Sequence, residues 1–367
     1  MKVRLHGSIA ITIASIFICG AAQATNYVAT FLDGKYGTAY GINNAGQVVG
    51  TASYIDDSGD VRATIWNGTT PTDLSKFVPG RTSYSQALGI NGSGKVAGTS
   101  SPSSTVDFRT TLWDGSTTTY FSGGQYSKAS SINDAGQMVG WSSYGDKSHA
   151  YRWDTSGGLA IDLGPPGVNS EALGINSSGQ VVGYVDTPDN QSFRATIWNG
   201  TTATDLGTHG IASRATGINN AGQVVGWTMK SNGAVHATLW SGTTVNDLGT
   251  LGGESSLAFG INNNGQVVGF SRIAGGATHA ALWNGNNVTD LNLYLDADLV
   301  SAGWYLDLAL GVNDAGSIVG RATNSKTGDS RAFILAISAV PEPQTYALML
   351  AGIGLIAGVA RRRGKQK

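Results

Sequence analysis

The sequence predicts an all-β fold: a seven-bladed β-propeller of four-stranded antiparallel blades, the last closed by the N-terminal strand, plus a C-terminal transmembrane helix. Three observations predict it. Gly41-Ile42-Asn43-Asn44-Ala45-Gly46-Gln47-Val48-Val49-Gly50 returns six times, in copies that begin at Gly89, Ser131, Gly174, Gly217, Gly260 and Gly311. The starts lie 48, 42, 43, 43, 43 and 51 residues apart, a period at which propeller blades recur. Each period also carries two hairpin signals, and therefore four short strands.

The first hairpin joins an apolar strand ending at Ile42 to a second running Gln47-Val48-Val49, through an Asn-x-x-Gly turn. Asn accepts a backbone hydrogen bond there, and Gly46 takes the positive φ that a type I turn with a G1 bulge requires. Seven recurrences of one Asn point to a turn rather than to catalysis. The second hairpin follows at Arg62-Ala63-Thr64-Ile65-Trp66, with Asn67-Gly68 as a two-residue turn and a return strand from Thr69 to Leu74. Equivalent turns stand at Asn199-Gly200, Ser241-Gly242 and Asn284-Gly285, with Asp114-Gly115 as a variant. This register sets Arg62 opposite Asp73, Arg194 opposite Asp205, His236 opposite Asp247 and His279 opposite Asp290. Tyr120 takes the acidic place opposite Arg109. A position that accepts Arg or His (His149, His236 and His279 among them) is a cross-strand ion pair, not a metal ligand set.

In chain order, residues 1–24 carry a basic start (Lys2, Arg4), an apolar run from Ile9 to Ile18 and the small-x-small site Ala22-Gln23-Ala24, with Thr25 the expected mature start. This is a signal peptide read by Sec-type export machinery. Cys19, the one cysteine, leaves with it, so burial alone must stabilise the exported body. Residues 26–33 resemble a fourth strand, and Arg331-Ala-Phe-Ile-Leu335 is a third strand with no fourth after it. Joining the two closes the circle over residues 25–338, places Asp33 near Arg331 and hides the sheet edges. Period alone leaves an open solenoid as the alternative. Gly89-Ile-Asn-Gly-Ser-Gly94-Lys95 mimics a phosphate-binding loop but has Val96 where Ser or Thr must reach magnesium.

Residues 339–367 form a tripartite tail: Pro341-Glu342-Pro343, an apolar helix at 346–360 and the basic cluster Arg361-Arg362-Arg363. The helix is short for a membrane span, and the basic end stays cytoplasmic, leaving the body outside. This tail resembles the PEP-CTERM sorting signal. The resemblance implies recognition by an exosortase, a membrane-anchored intermediate, then release or attachment at the cell surface, in systems associated with exopolysaccharide and biofilm. The body resembles the extracellular HAF-repeat family through Gly-Ile-Asn-x-x-Gly-Gln-Val-Val-Gly and the His-Ala pairs at His149, His236 and His279. That resemblance implies no activity and no catalytic residues.

Residues 25–340 hold 16 Lys and Arg against 23 Asp and Glu, an acidic body unsuited to nucleic acid and to strong binding of acidic polysaccharide unless a local basic patch exists. Six Trp (66, 113, 153, 198, 240 and 283) close the third strands, as packing between blades. Trp141, Trp227 and Trp304 fall outside that pattern and are the candidates for stacking on sugar rings. No catalytic constellation, cofactor motif or metal set is visible. The expected function is a non-catalytic surface or matrix scaffold, contacting exopolysaccharide or surface proteins. A glycan hydrolase or lyase using His209, Asp296, Asp298 or Asp307 is one alternative. A calcium-stabilised adhesin using Asp56, Asp57 and Asp60 is the other.

Overall fold

The computed structural model describes residues 27–53, 60–79, 84–101, 108–121, 124, 126–157, 160–208, 210–242 and 244–337. The predicted signal peptide and the predicted helix at 346–360 lie outside them. Among the described residues, no helix is long and apolar enough to cross a membrane.

Seven four-stranded antiparallel sheets follow one another along the chain. Blade one comprises Lys35–Ile42, Val48–Ser53, Val61–Asn67 and Thr70–Asp73. Blades two to six repeat the plan over residues 85–121, 127–162, 170–205, 212–247 and 252–290. Blade seven takes Trp304–Val312, Ile318–Asn324 and Ser330–Ile337 from the chain's end and Tyr27–Phe31 from its beginning. Tyr27 pairs with Ile337 and Phe31 with Phe333, so the N-terminal strand does complete the last blade. The long connection after blade six holds a short helix, Ala297–Ser301.

The turn reading of Asn-x-x-Gly holds, with a consequence the single repeat does not reveal. Asn43 Oδ1 accepts from the backbone N–H groups of Ala45 and Gln47, and Gly46 sits at φ 80°. The Asn43 amide also donates 3.0 Å to the backbone carbonyl of Asn91. Asn91 reaches Asn133, then the relay passes through Asn176, Asn219, Asn262 and Asn313, and Asn313 donates back to Asn43. Seven buried Asn thus form a closed hydrogen-bonded ring around the axis, between 2.9 and 3.2 Å per link.

The core lies between blades. Leu32, Val319 and Ala332 of blade seven pack on Ala39, Val48, Ala52 and Trp66 of blade one, and the mixture repeats around the circle. The six periodic Trp are all 0–1% exposed, as predicted for packing residues. Burying each contributes about 3 kcal/mol. Three also donate the indole N–H to a carbonyl of the preceding blade's outer edge: Trp66 to Asp33, Trp198 to Leu163 and Trp240 to Gly207. Buried serines add a second tie. Ser85, Ser127, Ser170, Ser213 and Ser256 each accept from a third-strand N–H of the blade before, at 2.9–3.0 Å. Glycine is required in Val-Val-Gly because a Cβ on Gly50 would overlap the Thr38 carbonyl, at the bulge between Ala39 and Gly41.

The outer hairpin corrects the predicted register. The two loop residues are Gly68 and Thr69, not Asn67 and Gly68, and Asn67 pairs with Thr70. Gly68 stands first in the loop at φ 62°, the position that a type II′ turn reserves for Gly. Asp73 therefore faces Thr64, and Tyr120 faces Thr111 rather than Arg109. Four ion pairs form diagonally: Arg62–Asp73 at 3.6 Å, His149–Asp162 at 2.9 Å, His236–Asp247 at 2.8 Å and His279–Asp290 at 2.6 Å. Among the described residues the expected Arg194–Asp205 pair does not form; Asp205 accepts from the Gly207 N–H at 2.7 Å instead. Blade seven departs further. Leu32 N–H bonds to Ala332, as Leu206 does to Ala195, so Phe31 and not Asp33 takes the acidic position. Phe31 packs on Trp304, over which the Arg331 guanidinium lies at 5.7 Å.

The ring sets a stability prediction. Asn219→Ala strips a 3%-exposed side chain of two accepted and two donated bonds. It is expected to cost about 2–4 kcal/mol in chemical denaturation. Asn263→Ala, on the exposed rim beside it, is expected to cost about 1 kcal/mol or less.

Candidate functional site

The first strand of every blade lines the axis. At the waist, a cavity of about 240 Å³ is bounded by Gly-Ile pairs such as Gly41-Ile42 and Gly217-Ile218. The strands converge so closely there that a Cβ on Gly217 would lie 3.0 Å from the Phe259 carbonyl.

On one side of the waist, the Asn ring borders a cavity of about 260 Å³. The residue after each ring Asn makes a partial outer ring. Asp314 receives the Asn263 N–H at 2.9 Å and the side-chain amides of Asn44 and Asn263, both at 2.9 Å. Burial would raise the Asp314 pKa, but these hydrogen bonds outweigh it and hold the carboxyl below its usual range.

On the other side, the axis opens into a mouth of about 470 Å³ where the sevenfold pattern breaks. The residue three places before each repeat is Thr38, Gln86, Lys128, Glu171, Arg214, Leu257 and Leu308 in turn. Three successive blades thus carry Lys, Glu and Arg at one height. Their cross-strand partners are Trp141, Tyr184 and Trp227. Arg214 Nη2 donates to Glu171 at 3.0 Å, and its Cζ stands 4.6 Å from the Tyr184 ring centroid. Phe193 sets its edge against Tyr184 and Trp227 at 5.7 and 5.4 Å. Burial, then the Glu171 charge, push the Tyr184 phenol up to about 12. Burial pulls the Lys128 ammonium down.

Two of the three stacking candidates therefore share one sector: Trp227 lines the mouth, and Trp141 is paired with Lys128, which lines it. Trp304 does not join them. It is held in blade seven by Phe31 and Arg331, because Phe31 fills the place an acidic residue occupies elsewhere. Lys128, Glu171, Arg214 and Tyr184 are absent from the sequence-derived candidates, although the offset of three from each repeat start marks the first three.

The other candidate residues are scattered. Asp307 is buried and bound by Arg321 Nε at 3.0 Å and by Nη2, a pairing that raises the Arg321 pKa. Asp296 precedes the short helix and Asp298 lies in its first turn. Asp60 contacts Arg62 at 3.5 Å. His209, Asp56 and Asp57 lie outside the described residues, as do the cleavage-site and sorting-tail residues. Among the described residues, no three His, Cys, Asp or Glu gather as a metal site would require.

Residues 339–363 match the PEP-CTERM protein-sorting motif. The chain carries that motif. It implies processing by an exosortase and export through a membrane-anchored intermediate to the surface. No curated protein matches the chain. Among solved structures, TolB from Acinetobacter baumannii aligns at 13% identity and TM-score 0.44, over 79% of this chain and 63% of that one. Trypanosoma rangeli sialidase with 2,3-difluorosialic acid aligns at 11% and 0.40, over 83% and 54%. Aleuria aurantia lectin with alpha-methyl-L-fucoside aligns at 13% and 0.35, over 72% and 93%. The chain spans under two thirds of TolB and about half of the sialidase. At these values the similarities carry no inference about activity or ligand.

Asp314 supplies the prediction here. A carboxyl whose folded pKa is lowered stabilises the fold above its ordinary value, and that stability is lost as pH falls from 3.8 through the folded value. Asp314→Asn is expected to flatten this acid limb in denaturation midpoints measured across pH.

Proposed function

We propose that the chain is a non-catalytic surface or matrix protein of the HAF-repeat type, sorted by an exosortase and associating with extracellular glycan. The observation that carries the glycan reading is the wide mouth. Trp227 lines it and packs on Phe193, which packs on Tyr184, in the sector where three successive blades carry Lys, Glu and Arg. Aromatic faces beside polar and charged groups suit sugar rings, whose C–H faces stack while their hydroxyls are hydrogen-bonded. Two of the described carboxylates support the non-catalytic reading. Asp307 is tied to Arg321 and Glu171 to Arg214, so neither is a free acid or base.

The test is a glycan-array screen of the full-length chain in a detergent without a sugar headgroup, with and without calcium, reading reducing-end release on the same samples. Binding without release, unchanged by chelation, is expected. Product release would overturn the non-catalytic reading. Loss of binding and of thermal stability on chelation would favour the calcium-stabilised adhesin. Sorting has its own readout. Glu342→Ala is expected to leave the chain at its larger mass in the membrane fraction, where the wild-type chain is shortened and leaves it. Identical processing of both would remove Glu342 from the recognised motif.

A further inference from the structure

Lys128 is the unexplained charge at the wide mouth. Among the described residues it makes neither an ion pair nor a hydrogen bond, although burial penalises its charged form. The nearest acidic group on the same rim, Glu171, is already held by Arg214 at 3.0 Å. Among the residues that line the mouth the charged ones are Lys128, Arg214 and Glu171, a net of one positive charge in a body of 16 basic and 23 acidic residues. Arg214 uses Nη2 on Glu171 and has further N–H donors. Around these cations the mouth is lined by Leu88, Leu173, Leu257 and Phe259, with Trp227 on the Arg214 strand pair and Ser130 two residues beyond Lys128.

We propose that this mouth binds a carboxylate carried on a pyranose ring, that is, a uronic-acid unit of an extracellular glycan, with the carboxylate on Lys128 and Arg214 and the ring against Trp227. The inference rests on the glycan-association reading and names the sugar class for it. One net positive charge matches a monoanion. A phosphate dianion would meet the fixed Glu171 carboxylate with too little positive charge to offset it. A neutral sugar would fill the cavity but leave the half-buried Lys128 ammonium with only the attraction of Glu171, which Arg214 already holds. A simple carboxylate would reach Lys128 but leave the aromatic and leucine surface bare. The volume of about 470 Å³ suits a sugar unit or two.

The experiment is calorimetric titration of the full-length chain, in the same sugar-free detergent, with a methyl glucuronide, methyl glucoside and acetate. The glucuronide is expected to bind at least about 10-fold more tightly than either of the others. Lys128→Met should weaken glucuronide binding about 10- to 100-fold while leaving the weak glucoside binding unchanged, and Lys128→Arg should restore part of the loss. Trp227→Leu should weaken both sugars and leave acetate unaffected. The wild-type comparison of three ligands needs no variant, so the inference stays testable if a substitution impairs folding. Equal binding of glucoside and glucuronide, indifferent to Lys128, would overturn the uronate assignment and leave glycan association standing. Acetate as tight as glucuronide would overturn the ring contact. No binding here and none on the array would overturn both.

Discussion

The amide of one asparagine per blade sets the geometry that everything else obeys. Asn219 illustrates the device. Its oxygen accepts from two N–H groups of its own turn, one N–H bonds to Gln223 of that turn, and the other crosses to the carbonyl of Asn262. Every polar atom of the side chain is used, which is what a 3%-exposed amide needs. Because one of those bonds leaves the blade, each turn must stand at the same height and angle as the next. The relay is closed, with Asn313 returning to Asn43, so a displaced blade would break two links rather than one.

That requirement explains where the chain varies in length. The irregular repeat spacings of 48 and 51 come from extra residues between second and third strands or between blades. In an antiparallel blade those connections lie on the face away from the Asn turns. Insertions there leave the ring undisturbed, and the charged mouth opens on that same face. The rigid end and the variable end are thus separated by the length of a strand.

Repeat period, blade count, the Asn-x-x-Gly turn and closure by the N-terminal strand were all legible in the sequence, because each depends on residues close in the chain or on one unmatched strand at each end. The ring was not, because Asn43 and Asn91 become neighbours only once blades stand side by side. The outer register was misread because Asn67-Gly68 suits a type I′ turn by composition, whereas a single Gly at the first loop position also satisfies type II′. That choice moves Asp73 one pair along, and the ion pair persists only because diagonal neighbours remain within reach. Trp141 and Trp227 were visible as irregular aromatics. The charged row beside them was not, because Lys128, Glu171 and Arg214 precede the repeated segment and look unremarkable one at a time.

The two ends of the axis also differ in what chemistry they leave open. At the ring end, Asn amides, turn N–H groups and Asp314 largely satisfy one another, so the surface there is committed to holding the blades. The described chain also begins and ends at that face: Ile337 and Tyr27 are paired, and a Cβ on the turn residue Gly316 would meet the Ile337 side chain at 2.9 Å. Ile337, the last described residue, therefore lies on the side opposite the wide mouth. An acidic body with one net-positive recess concentrates its attraction for a small anion at that recess. Repetition supplies the scaffold and the recess, which all seven blades line, and three adjacent blades give it charge at one height.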